Sequence, residues 1–257
     1  MPEEFSLSWH EVDVAVRRSG LPASWHPFEI RSPGYTLDEH RRLSDAAWDA
    51  LRARGLAQAD KLDPDVFATL QAWTQPEVLI IVRAVEVPDG TVLYRASAGH
   101  GLGVFSSAAD DGIQFRQVRP ERLAETVLSM FPAYPALPVS PVAITQTPPR
   151  HSSGDYSDFS DRDFTGESAS PSRRDRDALA AFSRWPLHRH GTVELSLRPR
   201  HATLRPIATV TFADTDGGRY VTFSDPLRDG GFRLRFVPSD GSHLARWLLD
   251  AIAEGVR

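Results

Sequence analysis

Two histidines flank an arginine in His188-Arg189-His190, and this spacing could suit a metal ion. Residues two apart lie on the same side of an extended strand, so both imidazoles could reach one ion. A catalytic zinc site needs three protein ligands and a water molecule, and no carboxylate or third histidine is tied to this pair by a recognisable spacing. The sequence therefore favours a solvent-exposed loop leading into a strand, and we predict neither a metal nor a cofactor.

Two other segments resemble ligand sites but lack essential parts. Asp214-Thr215-Asp216-Gly217 begins like a calcium loop, yet a strand pattern at Tyr220–Phe223 stands where further oxygen ligands are needed. A hairpin turn explains these aspartates and glycines better. Gly99-His100-Gly101-Leu102-Gly103 resembles a phosphate-binding loop, but it lies between two predicted strands and not before a helix. We expect a bend there. No Gly-x-Ser-x-Gly motif of a serine hydrolase occurs either.

The composition limits the classes of protein that fit this chain. Its 257 residues are 41% apolar, which is enough for one large domain with a continuous core. The net charge of -5 is spread along the sequence, which argues against nucleic-acid binding. The chain has no cysteine, its amino terminus lacks a signal-peptide pattern, and no segment has about 20 consecutive apolar residues. We expect a soluble cytoplasmic protein without disulfides or a membrane-inserted segment.

Helix signals dominate the first 75 residues. Ser8 with Glu11, and Thr36 with Glu39, have the spacing of capping boxes, each followed by apolar residues in helical phase. Asp63-Pro64 begins a third helix, since proline is tolerated in the first turn.

The pattern then becomes extended and occurs twice. Strands are predicted at 78–87, 91–98, 102–109 and 113–118, and again at 192–197, 207–212, 220–223 and 232–237. Gly112–Val118 and Gly231–Val237 each close a run of strands, and each is followed by one amphipathic helix. This repetition predicts two related halves that share one sheet.

We therefore predict a single domain over 1–257. Its first half is 1–131 and its second half 175–257. Between them, 132–174 is rich in proline and then in Ser, Asp, Arg and Gly, so it buries too little apolar surface to offset the entropy of ordering, and we expect a mobile insert.

The tryptophans could serve the core or a binding surface. Most lie on predicted helices and are expected to fill the core, but tryptophan is also common at binding hot spots. Trp48 lies beside the middle of its helix's apolar stripe, which makes it the tryptophan best placed for binding.

Several segments, taken in order, resemble the EspG family, the secretion-associated chaperones of actinobacterial type VII (ESX) systems. They are Ser8-x-x-Glu11, Arg31–Thr36 before a long helix, Ala50–Leu56 followed by Leu62–Asp65, and Asp214–Tyr220. The order and spacing of these motifs carry the resemblance, which covers nearly the whole chain except the polar insert.

The resemblance implies an α+β fold: a central, largely antiparallel sheet flanked by two helical bundles, with pseudo-two-fold related halves. It also implies a cytosolic, non-catalytic chaperone that binds the apolar tip of a helical PPE protein within a PE–PPE heterodimer and keeps it soluble for export. The resemblance further implies that cargo binding uses a loop joining two first-half strands, the sheet surface and the carboxy-terminal helical bundle, and Pro88, Asp89 and Gly90 correspond to the loop. Outward positions of the second-half strands, Thr209, Thr211 and Thr222, are further candidates for partner binding.

Two other classes of function stay open at this point. One is a hydrolase or metalloenzyme that uses His188, His190 or another histidine, because catalytic sites are defined by geometry. The other is a self-associating structural protein that pairs through its sheet edges. The sequence is compatible with a monomer or a homodimer.

Overall fold

A ten-stranded antiparallel sheet forms the centre of the protein in the computed structural model. The structure describes residues 4–30, 34, 36–88, 90–146, 173–199, 202–228 and 230–255. The first half contains, in chain order, β1 (Glu4–Ser8), α1 (Trp9–Arg18), α2 (Leu37–Ala53), the short strands β2 (Ala57–Gln58) and β3 (Lys61–Leu62), α3 (Pro64–Thr74), β4 (Val78–Glu86), β5 (Gly90–Gly99), β6 (Leu102–Ala109), β7 (Gly112–Val118) and α4 (Leu123–Leu128).

Among the residues that the structure describes, the second half repeats this order with fewer helices. It contains β8 (Val142–Gln146), α5 (Arg173–Ser183), β9 (Leu187–Leu197), β10 (Arg205–Thr215), β11 (Gly218–Pro226), β12 (Phe232–Pro238) and α6 (Ser242–Gly255). The strand order across the sheet is β1-β7-β6-β5-β4-β9-β10-β11-β12-β8.

The antiparallel pair β4–β9 lies at the centre and joins the two halves. On each side of it a four-stranded meander runs outward, and the strand that began that half pairs with the last meander strand, β1 with β7 and β8 with β12. The two duplicated motifs are β7 and β12, and each leads into a helix, α4 or α6. The predicted pair of related halves on one antiparallel sheet is therefore confirmed.

Helices cover the sheet on both faces, and each face has its own core. On one face α1, α2 and α3 pack over the first half, burying side chains such as Leu51, Trp73 and Phe115. On the other face α4 and α6 lie side by side and cover both halves, burying side chains such as Val127, Val193 and Leu248. The second half thus has no counterpart of α1–α3 among the described residues except α5.

The predicted helix starts are present in the structure. Ser8 Oγ accepts the Glu11 N–H at 3.3 Å, and Glu11 Oε2 accepts the Ser8 N–H at 2.8 Å, which completes the capping box. Thr36 Oγ1 accepts the Glu39 N–H at 3.2 Å, and Asp63 caps α3.

The segment 132–174 differs from the expected insert in its first part. Leu137 is buried, its N–H donates to the Arg219 carbonyl at 2.9 Å, and β8 adds an edge strand to β12. The prediction missed β8 because this strand has only five residues and follows several prolines, so the alternation of apolar and polar residues in it is too short to give a clear strand signal. Residues 147–172 lie outside the described residues, and the domain division stays a prediction. None of the described helices combines the length and apolar character needed to cross a membrane.

Candidate partner-binding surface

The three predicted threonines lie together on one face of the second half. Thr211 of β10 is paired with Thr222 of β11 on one side and with Thr192 of β9 on the other, and Thr209 lies two residues along β10, opposite Glu194. Thr209 and Thr211 are exposed, and the other three are partly exposed. We call these five residues the open strand face.

This face is open because strands alternate their side chains. Val193, Val210, Phe212 and Val221 point to the opposite face, where α4 and α6 bury them. The threonines therefore point away from that core, on the face that α1–α3 cover only in the first half. β-branched threonine suits such a half-exposed strand position, since it presents a methyl group and a hydroxyl on a stiff backbone.

Charged residues mark the side of the open strand face where the halves meet. Arg83 of β4 donates to Glu194 Oε1 at 3.1 Å and contacts the His26 ring. Partial burial lowers the pKa of His26 below its usual 6.5, and the Arg83 guanidinium lowers it further. Behind this cluster, buried Arg95 lies 4.7 Å over the Trp73 ring and donates to the carbonyls of Trp73 and His26. Burial lowers the pKa of Arg95 to about 9.

Aromatic rings mark the opposite side, where α5 packs on the sheet. The Phe182 ring centroid lies 5.2 Å from that of Tyr220, edge-on, and 5.6 Å from that of Phe236, at a tilt. Burial raises the pKa of the Tyr220 hydroxyl above its usual 10.0. The open strand face is thus bounded by a charged cluster at the β4–β9 seam and by aromatic rings near the outer strands.

The first-half hairpin lies at one end of this surface. Pro88 is exposed in the turn after β4, Gly90 is exposed at the start of β5, and Asp89 lies outside the described residues. The neighbouring Val87 N–H donates to the His188 carbonyl at 2.8 Å, and its side chain is 55% exposed. Because Glu86 pairs with Arg189, three residues before Thr192, the hairpin lies roughly 10 Å along the strands from the threonine row. The structure brings the three threonines together and places the hairpin at their margin.

A buried ion cluster beneath this end of the sheet was missed by the sequence prediction. Asp214 lies in β10 and not in a turn, and its carboxylate accepts from Arg189 Nε at 3.0 Å and from Arg219 Nε at 2.5 Å. The Phe131 ring lies 5.2 Å from the Arg189 guanidinium and 5.6 Å from that of Arg219. The sequence could have indicated this ion pair, because Asp214 and Arg219 flank an Asp-Gly-Gly turn and therefore pair across the hairpin.

The expected loop at the two histidines was wrong. His188 and His190 belong to β9, with exposed side chains, because this strand begins at Leu187 to pair with β4 and β10. His188 contacts the exposed carboxylate of Asp216. In the described ranges, histidine, aspartate and glutamate form no group of three that could hold a metal. The bend predicted near Gly101 is present between β5 and β6.

Trp48 was also wrongly favoured for binding. Its side chain is buried, and its indole N–H donates to the Ala59 carbonyl at 2.9 Å. It fills the core between α2 and the turn joining β2 to β3, so it is unavailable to a partner. The helical period placed Trp48 beside the buried face of α2. The indole is buried nevertheless, because the turn after β2 supplies the Ala59 carbonyl as acceptor for its N–H.

This architecture occurs in a protein of known structure. The Mycobacterium tuberculosis type VII secretion system chaperone EspG5, solved in complex with a PE25–PPE41 dimer, shares the fold with a TM-score of 0.63 and 10% sequence identity, over 99% of this chain and 97% of that one. A search of characterised proteins found no significant sequence match. The model of the EspG family matches residues 8–250. Since this match spans almost the entire sequence, the chain belongs to the EspG family.

Proposed function

We propose that this protein is a non-catalytic chaperone of type VII secretion that acts in the cytoplasm and binds a helical PE–PPE-like dimer. The observation that carries the proposal is the family membership, together with a fold shared over nearly the full length with EspG5, which was solved on such a dimer.

The open strand face is the surface we assign to this partner. An apolar helical tip exposed to water promotes aggregation, so a chaperone has to cover it. A standard protein interface buries about 1,200–2,000 Å² and depends on a few central residues. The row Thr192, Thr211 and Thr222 offers a flat, rigid centre for such contact, and the Arg83–Glu194 pair offers a polar rim.

The contacts of the polar candidates support a structural role for them. The Asp214 carboxylate is taken up by two arginines, and His188 is paired with Asp216 at an exposed turn. These ion pairs connect neighbouring strands near their ends, and neither pair includes a group placed to activate a nucleophile.

The proposal can be tested with a PE–PPE pair from the same organism. We expect the purified protein to bind that dimer at one copy per dimer by calorimetry. Replacing Thr211 and Thr222 together with arginine places two charges at the interface centre and should weaken binding at least about 30-fold, or about 2 kcal/mol. Gln114→Arg, at an exposed strand position on the opposite face of the first half, is the matched control and should bind normally.

Two results would contradict the proposal. If no PE–PPE dimer of the organism binds, the assigned function is wrong. If a dimer binds and both variants behave alike, the function stands but the open strand face is not the binding surface. In that case Pro88→Asp tests whether the hairpin binds the dimer instead, and a loss of affinity in this variant would place the binding surface there.

A further inference from the structure

A groove with an apolar floor lies beside α6, on the face of the sheet opposite the open strand face. Its volume is about 720 Å³, and its floor is formed by Ala143, Ala208, Phe223, Val237 and Trp247. Trp247 is partly exposed, with its ring 6.3 Å from that of Phe223. Ile207, at 42% exposure, extends the apolar surface at one side.

The two halves share the arrangement from which this groove is built. In the first half Arg116 lies directly opposite Phe105 across β6 and β7, with its guanidinium 5.3 Å from the ring centroid. In the second half Arg235 lies directly opposite Phe223 across β11 and β12, at 5.1 Å. The same stacked pair therefore occupies the same register in both halves.

The corresponding depression in the first half is much smaller, about 280 Å³. Tyr94 stands there two residues before the partner of Phe105, and its ring packs 5.5 Å from Phe105. The matching position of the second half holds Ala208. Likewise Glu4 faces Arg116, whereas Ala143 faces Arg235. Because the two halves share one fold, equal side chains would give two depressions of equal size. The second-half groove is larger because Ala208 and Ala143 replace the bulkier Tyr94 and Glu4.

The charges along α6 follow a self-complementary order. His243 and Arg246 line the groove toward the start of the helix, and Asp250 and Glu254 line it toward the end. The pairs Arg246 with Asp250, and His243 with Glu254, are both centred on or just beside Leu248. Among the described residues, Arg246, Asp250 and Glu254 form no ion pair.

We propose that the groove is the interface of a symmetric dimer, and that its occupant is α6 of a second copy lying antiparallel. A two-fold axis near Leu248 places Arg246 opposite the second copy's Asp250, and His243 opposite its Glu254. The ion pair between Arg246 and Asp250 then occurs twice, once on each side of the axis, as a two-fold interface requires. Trp247 and Ala251 lie among these charged residues. The Trp247 indole supplies part of the apolar floor on which the second helix packs, and the small side chain of Ala251 permits its close approach.

The proposed dimer interface is separate from the open strand face. The dimer uses the α6 face, whereas the open strand face points the other way, so both copies keep that surface accessible. A dimeric chaperone would bind two cargo dimers.

The first test is the mass of the full chain in solution. Light scattering after size exclusion, over a dilution series in the micromolar range, should give twice the chain mass of 28.5 kDa at the upper end. A single-chain mass throughout would overturn the proposal.

Charge reversal tests the geometry. Arg246→Glu places two acidic groups together, and Asp250→Arg places two basic groups together, so each variant alone should raise the dimer dissociation constant at least about tenfold because each change acts twice. Mixing the two variants should restore a dimer, since the glutamate introduced in one copy then faces the arginine introduced in the other. Dimers that persist in both single variants, or single variants that do not recover when mixed, would overturn the antiparallel arrangement.

Two further variants separate the interface from folding. Ala208→Tyr copies the residue of the first half, fills the groove, and should also favour the monomer. Arg122→Glu reverses an exposed charge on the same face, outside the groove, and should leave the mass unchanged. Circular dichroism of each variant confirms that it is folded. An Ala208→Tyr variant that is folded and fully dimeric would place the interface elsewhere.

Discussion

Replacing Asp214 with asparagine should destabilise the second half strongly although the two side chains have nearly the same shape. The carboxylate is fully buried and accepts from Arg189 and from both Nε and a terminal nitrogen of Arg219, at 2.5 to 3.1 Å. Arg189 and Arg219 are also buried, so neither can turn to water when the charge opposite is removed.

The expected size follows from this burial. Removing one partner of a buried ion pair typically costs about 3–5 kcal/mol, because an uncompensated charge is left behind. Asparagine keeps one acceptor, so we expect the lower end, about 3 kcal/mol. The Arg219 side chain also donates to the Pro132 carbonyl at 2.9 Å. Its backbone N–H donates to the Pro135 carbonyl, and its carbonyl accepts from the Leu137 N–H. The loss should therefore loosen the segment between α4 and β8 as well.

Urea denaturation followed by tryptophan fluorescence measures the effect, with Asp225→Asn as the matched control. Asp225 pairs with Arg235 at 2.6 Å, but both side chains are almost half exposed. Solvent screening should limit its loss to below about 1 kcal/mol. Equal losses in the two variants, or a loss below about 1 kcal/mol for Asp214→Asn, would refute the argument from burial.

Three further changes test other parts of the structure. Gly191→Ala should destabilise the β4–β9 seam by at least about 1–3 kcal/mol in urea denaturation, since the new Cβ would lie 2.0 Å from the Arg83 carbonyl oxygen; a neutral result would contradict this close approach. Trp48→Phe should cost about 1–2 kcal/mol through the lost hydrogen bond to Ala59 while cargo affinity stays unchanged, and weaker cargo binding would contradict its core role. Because the pKa of His26 is lower in the folded than in the unfolded chain, the unfolded chain binds a proton at this site at a higher pH. The free energy of unfolding should therefore fall as the pH drops below 6.5. His26→Gln should flatten that slope, and an unchanged slope would assign it to other groups.

Local signals in the sequence were sufficient to predict most elements and the repetition of one strand pattern in two halves. Capping residues such as Ser8 with Glu11, and turns such as the one before Gly112, act within a few residues of the chain, so they can be recognised without tertiary context. The duplicated strand-helix pattern predicted two halves on one sheet for the same reason. The outward threonines followed from simple alternation along β10 and β11.

Contacts between distant segments decided the rest. β8 is a strand only because β12 offers it a free edge, and Trp48 is buried because a turn eleven residues later accepts its N–H. Asp214 becomes an internal counterion because β9 and β11 bring arginines to both sides of it. The groove beside α6 depends on comparing Ala208 with Tyr94, which only the shared register makes equivalent. The sequence determines the elements through short-range preferences, whereas burial and pairing depend on which strands become neighbours, and this only the tertiary structure decides.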